Sequence, residues 1–275
     1  MAVRPRDAAT VILLRDRNGS GGGGMEVLMV HRHPKSDFVP GSYVFPGGAM
    51  EEEDFTPGMG VLCAGRTCEA AYQALANAAS PAKALGAWVT AIRETFEEVG
   101  LLMAYRGDGT LFCASDNEEL HRFGDYRKAL RDGSLGFYEF LVRESLTLAA
   151  DRLHYFSHWI TPEAAPIRYD TRFFIGRAPA GQDAVHDGVE LTKHRWLTPR
   201  EALDAYESGA FDMVVPTVMT LEELDGYATV DDAILSTARK EIPSHCIRVD
   251  VDEKEGITIY APDGRVFKRI PPSVR

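Results

Sequence analysis

The stretch Arg93-Glu94-Thr95-Phe96-Glu97-Glu98-Val99-Gly100-Leu101 places three carboxylates at positions i, i+3 and i+4. On an α-helix these positions share one face, with neighbouring Cβ atoms roughly 5–6 Å apart. Because like charges at this spacing repel, the cluster indicates a cation among the carboxylates. Mg²⁺ is commonly held by a few carboxylates together with substrate phosphates. The stretch therefore predicts a metal–phosphate site on a helix that Gly100 ends; the alternative is a solvated acidic helix face.

A glycine turn precedes this helix in the sequence. The run Tyr43-Val44-Phe45-Pro46-Gly47-Gly48 is apolar and ends in Pro-Gly-Gly. Glycines let the backbone approach a ligand closely and leave its carbonyl and amide groups free for it. The turn therefore favours a binding site over a solvated surface.

The helix that carries the carboxylates is expected to run over residues 82–99, with apolar side chains recurring at helical spacing along it. That apolar stripe predicts one face packed on the core, with the carboxylates on the other side facing a cleft. The residues of the stripe are Leu85, Trp88, Val89, Ile92 and Phe96.

Gly48, Asp54 and the run Arg93-Glu94-x-x-Glu97-Glu98-x-Gly100 together resemble the Nudix box, a metal-binding loop-helix-loop. The chain departs from that pattern in two ways. Asp54 stands where the family usually has Glu, and residues 55–92 replace a much shorter run before the arginine. The long insert resembles a subgroup of coenzyme A diphosphatases. Further segments similar to that subgroup are residues 41–48, 91–100, 159–162, 168–174 and 196–199.

This resemblance implies an enzyme that hydrolyses a diphosphate linked to another moiety and uses Mg²⁺ or Mn²⁺. It implies metal binding by Glu94, Glu97, Glu98 and the carbonyl of Gly48. Arg93 cannot coordinate a cation, but its guanidinium can grip carboxylates in a bidentate fork. Whether the shorter Asp54 reaches Arg93 is left open by the sequence.

The remaining pattern of strands and helices predicts the α/β class, and with the resemblance a Nudix-type α/β/α sandwich with a mixed sheet. We expect a single domain over residues 1–275, with a core of about 8–225, a helical insert at 55–90, and a C-terminal extension at 226–275 that contains helices and a hairpin. Strands are expected at residues 8–15, 26–31, 152–159, 171–176, 191–196, 245–251 and 256–261. Further helices are expected at 67–78, 117–132, 137–146, 199–207, 214–224 and 230–239.

A general base is harder to assign from the sequence. Glu94 is one candidate from the box itself. Several Nudix enzymes instead use a carboxylate on a loop before a later strand, and Glu190, six residues before Trp196, occupies a similar place. A solvated loop glutamate is the alternative. If Glu190 is the base, it should lie within one water molecule of the metal site.

Candidate substrate-binding residues carry positive charge. Arg32, His33 and Lys35 follow the second strand and could meet phosphates, such as a 3′-phosphate on an adenosine; surface solubility is the alternative. Arg168 and Arg172 are further candidates, although Arg172 could simply pair with Asp170. Trp159 and Phe173 could stack on a base, but core packing is the stronger interpretation for both.

The formal net charge is −11, with 30 Lys and Arg against 41 Asp and Glu. This balance disfavours broad binding to nucleic acid or to an anionic membrane, without excluding a local basic pocket. No apolar run approaches the roughly 20 residues of a membrane-spanning helix, and neither end reads as a targeting signal. We therefore expect a cytoplasmic protein whose partner is a small nucleotide diphosphate. The regions outside the core could also form a homodimer contact.

The leading hypothesis is a pyrophosphohydrolase that cleaves coenzyme A or acyl-coenzyme A to phosphopantetheine and adenosine 3′,5′-bisphosphate, as the subgroup resemblance implies. One alternative is hydrolysis of other nucleotides such as ADP-ribose, NADH, dinucleotides or nucleotide sugars. Another is a Nudix module that binds a nucleotide without catalysis, which the retention of Glu94, Glu97 and Glu98 disfavours.

Overall fold

The computed structural model describes residues 3–17, 24–75, 77–252 and 256–271. The glycine-rich turn expected between the first two strands lies mostly outside these ranges. The helices are Cys68–Ala74 (α1), Pro81–Val99 (α2), Asn117–Arg131 (α3), Phe137–Arg143 (α4), Pro199–Glu207 (α5), Val215–Leu224 (α6) and Val230–Ser236 (α7). The strands are Arg6–Asp16 (β1), Met25–Arg32 (β2), Tyr43–Val44 (β3), Gly47–Ala49 (β4), Ala104–Tyr105 (β5), Thr147–Leu148 (β6), His154–Ile160 (β7), Tyr169–Arg177 (β8), Leu191–Leu197 (β9), Ser244–Cys246 (β10), Arg248–Asp252 (β11), Gly256–Tyr260 (β12) and Val266–Ile270 (β13).

A mixed sheet forms the centre of the molecule. Its strands follow the order β10-β7-β8-β1-β2-β3, while β4 pairs with β1 and β9 pairs with β2. Strand β1 lies parallel to β8 and antiparallel to β2 and β4. The apolar side chains of β1 are buried on both faces of the sheet, as expected for a strand covered by helices on both sides.

Two apolar layers cover the two faces of this sheet. On one face α2 packs against β1 through Trp88, Ile92 and Phe96, and residues of α3 and α4 extend that layer. On the other face α5, α6 and α7 pack against the alternate side chains of β1 and β8. The α/β/α sandwich predicted from the sequence is therefore confirmed.

Helix α2 begins and ends at the residues that its sequence indicates. The Ser80 hydroxyl accepts the N–H of Lys83 at 3.2 Å, and Pro81 occupies the first turn. Gly100 adopts the left-handed conformation, with φ of 72°, and its N–H is donated to the carbonyl of Phe96. An N-cap of this type is typically worth about 1 kcal/mol. These caps and the buried apolar stripe hold the carboxylate-bearing turn rigidly.

The C-terminal extension differs from the predicted hairpin. The strand expected at 245–251 is divided, because β10 adds to the central sheet parallel to β7 while β11 joins a separate sheet. That sheet has a third strand, β13, which the sequence did not predict. The segment Val266–Ile270 is largely exposed, so its alternation gave only a weak signal. No helix in the described ranges is long and apolar enough to cross a membrane.

Candidate metal site and substrate cavity

The three carboxylates of α2 lie beneath the glycine turn. Glu94 and Glu97 have side chains that are 15% and 16% exposed, and Glu98 is buried. The carboxylates that were predicted to face a cleft are therefore only slightly exposed. Strand β4 and the turn that follows it pack against this side of α2, so much of the acidic face is shielded from solvent.

The two glycines of the turn approach the carboxylates closely. The N–H of Gly47 is donated to Oε2 of Glu98 at 2.9 Å. A Cβ at Gly48 would lie only 2.5 Å from Cδ of Glu94, and a Cβ at Gly47 would lie 2.3 Å from the carbonyl oxygen of Ala9. At Gly47 a side chain would meet backbone atoms that cannot move aside, whereas at Gly48 it would require the Glu94 carboxylate to move.

Arg93 and Asp54 form a buried ion pair beside the carboxylates. Nε of Arg93 contacts Oδ1 of Asp54 at 2.9 Å, and Nη2 contacts Oδ2 at 3.0 Å. The Asp54 carboxylate also accepts hydrogen bonds from the hydroxyl of Thr90 and the N–H of Glu51. Asp54 reaches Arg93 because the short 3₁₀ helix Glu52–Phe55 packs directly on α2. The long insert leaves this contact intact.

Burial sets the electrostatics of the cluster. It raises the pKa of Glu94 to about 7, against the opposing charge of Arg93 and with added repulsion from Glu97. Burial followed by repulsion from Glu94 raises the pKa of Glu98 well above its ordinary value. The pKa of Glu97 is also raised by burial. Carboxylates placed this way gain most from a cation that neutralises them.

The carboxylate oxygens of the cluster are the type of ligand that a hard divalent cation binds, but the side chains do not yet converge on one metal position. Across the described residues, no three Asp, Glu, His or Cys side chains already converge on a point suited to a metal ion. Instead Glu94 and Glu97 contact Nη1 of Arg93 at 3.1 and 3.3 Å. Metal binding would therefore require rotamer changes of these long side chains. Mg²⁺ binds oxygen ligands, and the Glu94 carboxylate lies against the Gly48 backbone, so both could supply oxygen atoms to one ion.

Glu190 lies on an exposed loop within electrostatic reach of the cluster. Its charge raises the pKa of both Glu94 and Glu98. The carboxylate of Asp187, 2% exposed, organises this loop by accepting the N–H groups of Val189, Glu190 and Leu191. The N–H of Asp187 is donated to the carbonyl of Glu98 at 3.1 Å, which ties the loop to α2. Asp187 was not among the residues predicted from the sequence, although an Asp four residues before a strand is a turn signal.

A cavity of about 630 Å³ opens beside Glu190. It brings together most of the predicted substrate-binding residues, since Arg32, His33, Lys35 and Arg168 all line it. Burial dominates the raised pKa of Glu98, and the charge of Arg32 is a smaller, opposing effect. The backbone next to Arg32 contacts the Glu190 loop, because the N–H of His33 is donated to the carbonyl of Glu190 at 2.8 Å. Arg4 and Arg6 also line the cavity; neither was among the residues predicted from the sequence.

Two of the predicted arginines are engaged by the protein itself. The guanidinium of Arg168 is buried and donates to the carbonyls of Thr161 and Val3 at 3.0 and 2.7 Å. Arg172 does not line the cavity; it is buried and pairs with Asp170, which also binds His158. The pairing weighed as the alternative for Arg172 is therefore the one that forms. Two aromatic residues, Trp159 and Phe173, belong to the buried core, as expected.

Comparisons with known proteins agree with this geometry. The family described as the NUDT19 Nudix domain matches residues 5–224. The acyl-coenzyme A diphosphatase NUDT19 of Xenopus laevis is 27% identical over 236 residues, covering 75% of this chain and 61% of that protein. The protein of the same name from Gallus gallus is 27% identical over 269 residues, covering 82% of this chain and 70% of that protein. The chain thus spans about two thirds of the length of these relatives.

A crystal structure of a Nudix hydrolase from Alicyclobacillus acidocaldarius shares the fold. It superimposes with a TM-score of 0.69 at 29% identity, covering 84% of this chain and 96% of that structure. The family match extends from the start of β1 through the glycine turn, α2 and the Glu190 loop to the end of α6. The chain therefore belongs to the Nudix hydrolase family, in the group of the NUDT19 Nudix domain.

Proposed function

We propose that this protein is a metal-dependent diphosphatase that hydrolyses coenzyme A or acyl-coenzyme A. The observation that carries the proposal is one cavity lined by Arg32, His33, Lys35 and Glu190. Glu190 lies on the loop that the N–H of Asp187 ties to the carbonyl of Glu98 on the Nudix helix. A cation-lined cavity in a chain of net charge −11 suits a small, highly anionic substrate. The names of the Xenopus and chicken relatives support coenzyme A derivatives as that substrate.

The residues proposed to hold the metal are Glu94, Glu97, Glu98 and the carbonyl of Gly48, with Mg²⁺ or Mn²⁺ as the ion. When bound, such an ion neutralises phosphate oxygens and lowers the pKa of a coordinated water molecule. Arg93 would act by positioning, because its guanidinium contacts Glu94 and Glu97 and is itself fixed by Asp54.

Glu190 is the residue that we propose accepts a proton from the attacking water. The water oxygen forms a bond to one phosphorus, the bridging P–O bond breaks, and the departing phosphate carries the electron pair. Arg32 and Lys35 would bind the phosphate oxygens and stabilise the charge that develops there. For coenzyme A the products are phosphopantetheine and adenosine 3′,5′-bisphosphate.

The test offers coenzyme A, acetyl-coenzyme A, ADP-ribose and NADH together with Mg²⁺ and identifies the products by mass spectrometry. We expect the two coenzyme A products, with turnover abolished by Glu98→Gln. The matched control is Glu139→Gln, which alters an exposed ion pair on α4 and should leave turnover unchanged. Turnover of ADP-ribose or NADH without turnover of coenzyme A would favour the alternative hypothesis, a hydrolase of other nucleotides. Absence of all turnover would favour a nucleotide-binding module.

The extent of the functional unit is part of the same proposal. We propose that residues 1–275 act as one Nudix domain, because the insert packs on α2 and β10 extends the central sheet. A cytoplasmic location and a homodimer stay predictions; gel filtration with light scattering would measure the second.

A further inference from the structure

The cavity has a second group of cations that the proposed mechanism does not use. Arg4 and Arg6 line it from the N-terminal side, and both side chains are exposed. Within the ranges that the structure describes, neither side chain forms an ion pair or a hydrogen bond with a carboxylate. Two arginines without a carboxylate partner among the described residues stand at one cavity of a chain with an excess of eleven acidic residues, and they attract an anion to this wall.

The segment that carries these arginines is held in place by the fold. The buried guanidinium of Arg168 donates to the carbonyl of Val3 at 2.7 Å. The N–H of Arg6 is donated to the carbonyl of Arg168 at 2.9 Å, and Arg6 stands opposite Tyr169 in the parallel pairing of β1 with β8. The backbone beneath both arginines is thus fixed before any ligand binds, which lowers the ordering cost of binding.

The position of Arg6 along β1 sets its distance from the metal site. Ala9 pairs with Gly48, whose backbone lies against the carboxylate of Glu94. Arg6 precedes Ala9 by three residues. At about 3.3 Å per residue, the backbone of Arg6 therefore lies about 10 Å from that of Ala9 along the strand. Arg32, in contrast, lines the cavity together with Glu190, and the N–H of its neighbour His33 is donated to the carbonyl of Glu190 at 2.8 Å. The cavity therefore has one cationic end at the Glu190 loop and another farther along β1.

An aromatic pair lines the same cavity. Phe38 and Tyr169 meet edge to face, with ring centroids 4.9 Å apart. The carbonyl of Phe38 accepts a hydrogen bond from Nε of Arg32 at 3.0 Å. This bond links the aromatic pair to the residue proposed to bind the diphosphate. These rings offer an apolar surface of the kind on which a nucleobase stacks.

We propose that Arg4 and Arg6 form a subsite for a second phosphate group, a phosphomonoester on the ribose of the substrate, distinct from the diphosphate that is cleaved. This proposal rests on the proposed function and deepens it, because it assigns the discrimination between nucleotides with and without a ribose phosphate to these two residues. Arg32 and Lys35 then serve the diphosphate. Charge-assisted bonds from two arginines to a phosphate dianion predict a preference of about 10- to 100-fold for the phosphorylated ligand.

The test measures equilibrium binding by calorimetry, so that it does not depend on turnover. The ligands are adenosine 3′,5′-bisphosphate and adenosine 5′-monophosphate, and the proteins are wild type, the double variant Arg4→Gln/Arg6→Gln, and Arg269→Gln. Arg269 is an exposed arginine on β13, outside the cavity lining, and controls for the loss of surface charge. In the double variant Arg4→Gln/Arg6→Gln we expect the ratio of the affinities for bisphosphate and monophosphate to fall at least about 10-fold. The affinity for the monophosphate should be unchanged.

Two results would overturn the subsite. If the double variant lost the same affinity for both ligands, the arginines would act only through their long-range positive charge. If its preference for the bisphosphate were unchanged, the ribose phosphate would bind elsewhere. A double variant Arg4→Lys/Arg6→Lys should retain part of the preference, because it keeps the charge. The proposed function fails separately, through absence of coenzyme A hydrolysis, and that failure leaves the binding preference measurable.

Discussion

Replacement of Asp54 by alanine tests the buried contact that holds the Nudix helix to its preceding loop. Asp54 is 1% exposed and Arg93 is 4% exposed. The substitution removes both bonds to the guanidinium, at 2.9 and 3.0 Å, together with the bonds from Thr90 and Glu51. The guanidinium of Arg93 would remain in the interior with its main partner gone.

The magnitude follows from that burial. Removing one partner of a buried ion pair typically destabilises a protein by about 3–5 kcal/mol, because the other charge is left uncompensated. Glu94 and Glu97 still lie 3.1 and 3.3 Å from Nη1 of Arg93, so the loss should fall at the lower end, about 3 kcal/mol. For a chain of this size that corresponds to a decrease in Tm of about 6–12 °C.

The assay is urea-induced unfolding, followed by circular dichroism, of wild type, Asp54→Ala and Asp204→Ala. Asp204 pairs with Arg200 at 2.7 Å on the surface, with its side chain 63% exposed, so its removal should cost less than about 1 kcal/mol. If Asp54→Ala lost no more stability than this control, the buried pair would not hold the loop, and the reasoning would be refuted.

Three further outcomes are expected. Gly47→Ala should destabilise the fold by about 1–3 kcal/mol in urea unfolding, because its Cβ meets the backbone of Ala9. Gly48→Ala should mainly lower kcat, because its Cβ displaces the flexible carboxylate of Glu94. Equal stability losses in the two variants would contradict this. Without divalent metal, stability should fall as pH rises between 4.5 and about 7, since the folded protein holds the proton on Glu94 more tightly; Glu94→Gln should reduce this slope, and an identical slope would count against it. Glu190→Gln should lower kcat about 10²- to 10⁴-fold with little change in KM. The control Glu163→Gln, at an exposed residue, should leave kcat unchanged. Normal turnover by Glu190→Gln would exclude Glu190 as the base.

The helix that carries the three carboxylates was predictable from local pattern alone. The apolar spacing, the Ser80 cap and Gly100 all act within a few residues, so they identify α2 without knowledge of the rest of the chain. The spacing of Glu94, Glu97 and Glu98 is likewise a property of the helix, and the cationic run Arg32 to Lys35 is contiguous. The helix and its C-terminal end were predicted correctly, because short-range periodicity and capping depend little on tertiary context.

Tertiary structure alone decided the features that depend on long-range pairing. Asp54 meets Arg93 across 39 residues of chain, and Arg6 meets Tyr169 only because β1 and β8 pair in parallel. The burial of Glu98 and the hydrogen bond from the N–H of Asp187 to the carbonyl of Glu98 follow from the packing of separate elements. Local periodicity identifies the buried face of an element but not its neighbours. The cavity that joins Arg4, Arg32 and Glu190 could therefore emerge only from the folded chain.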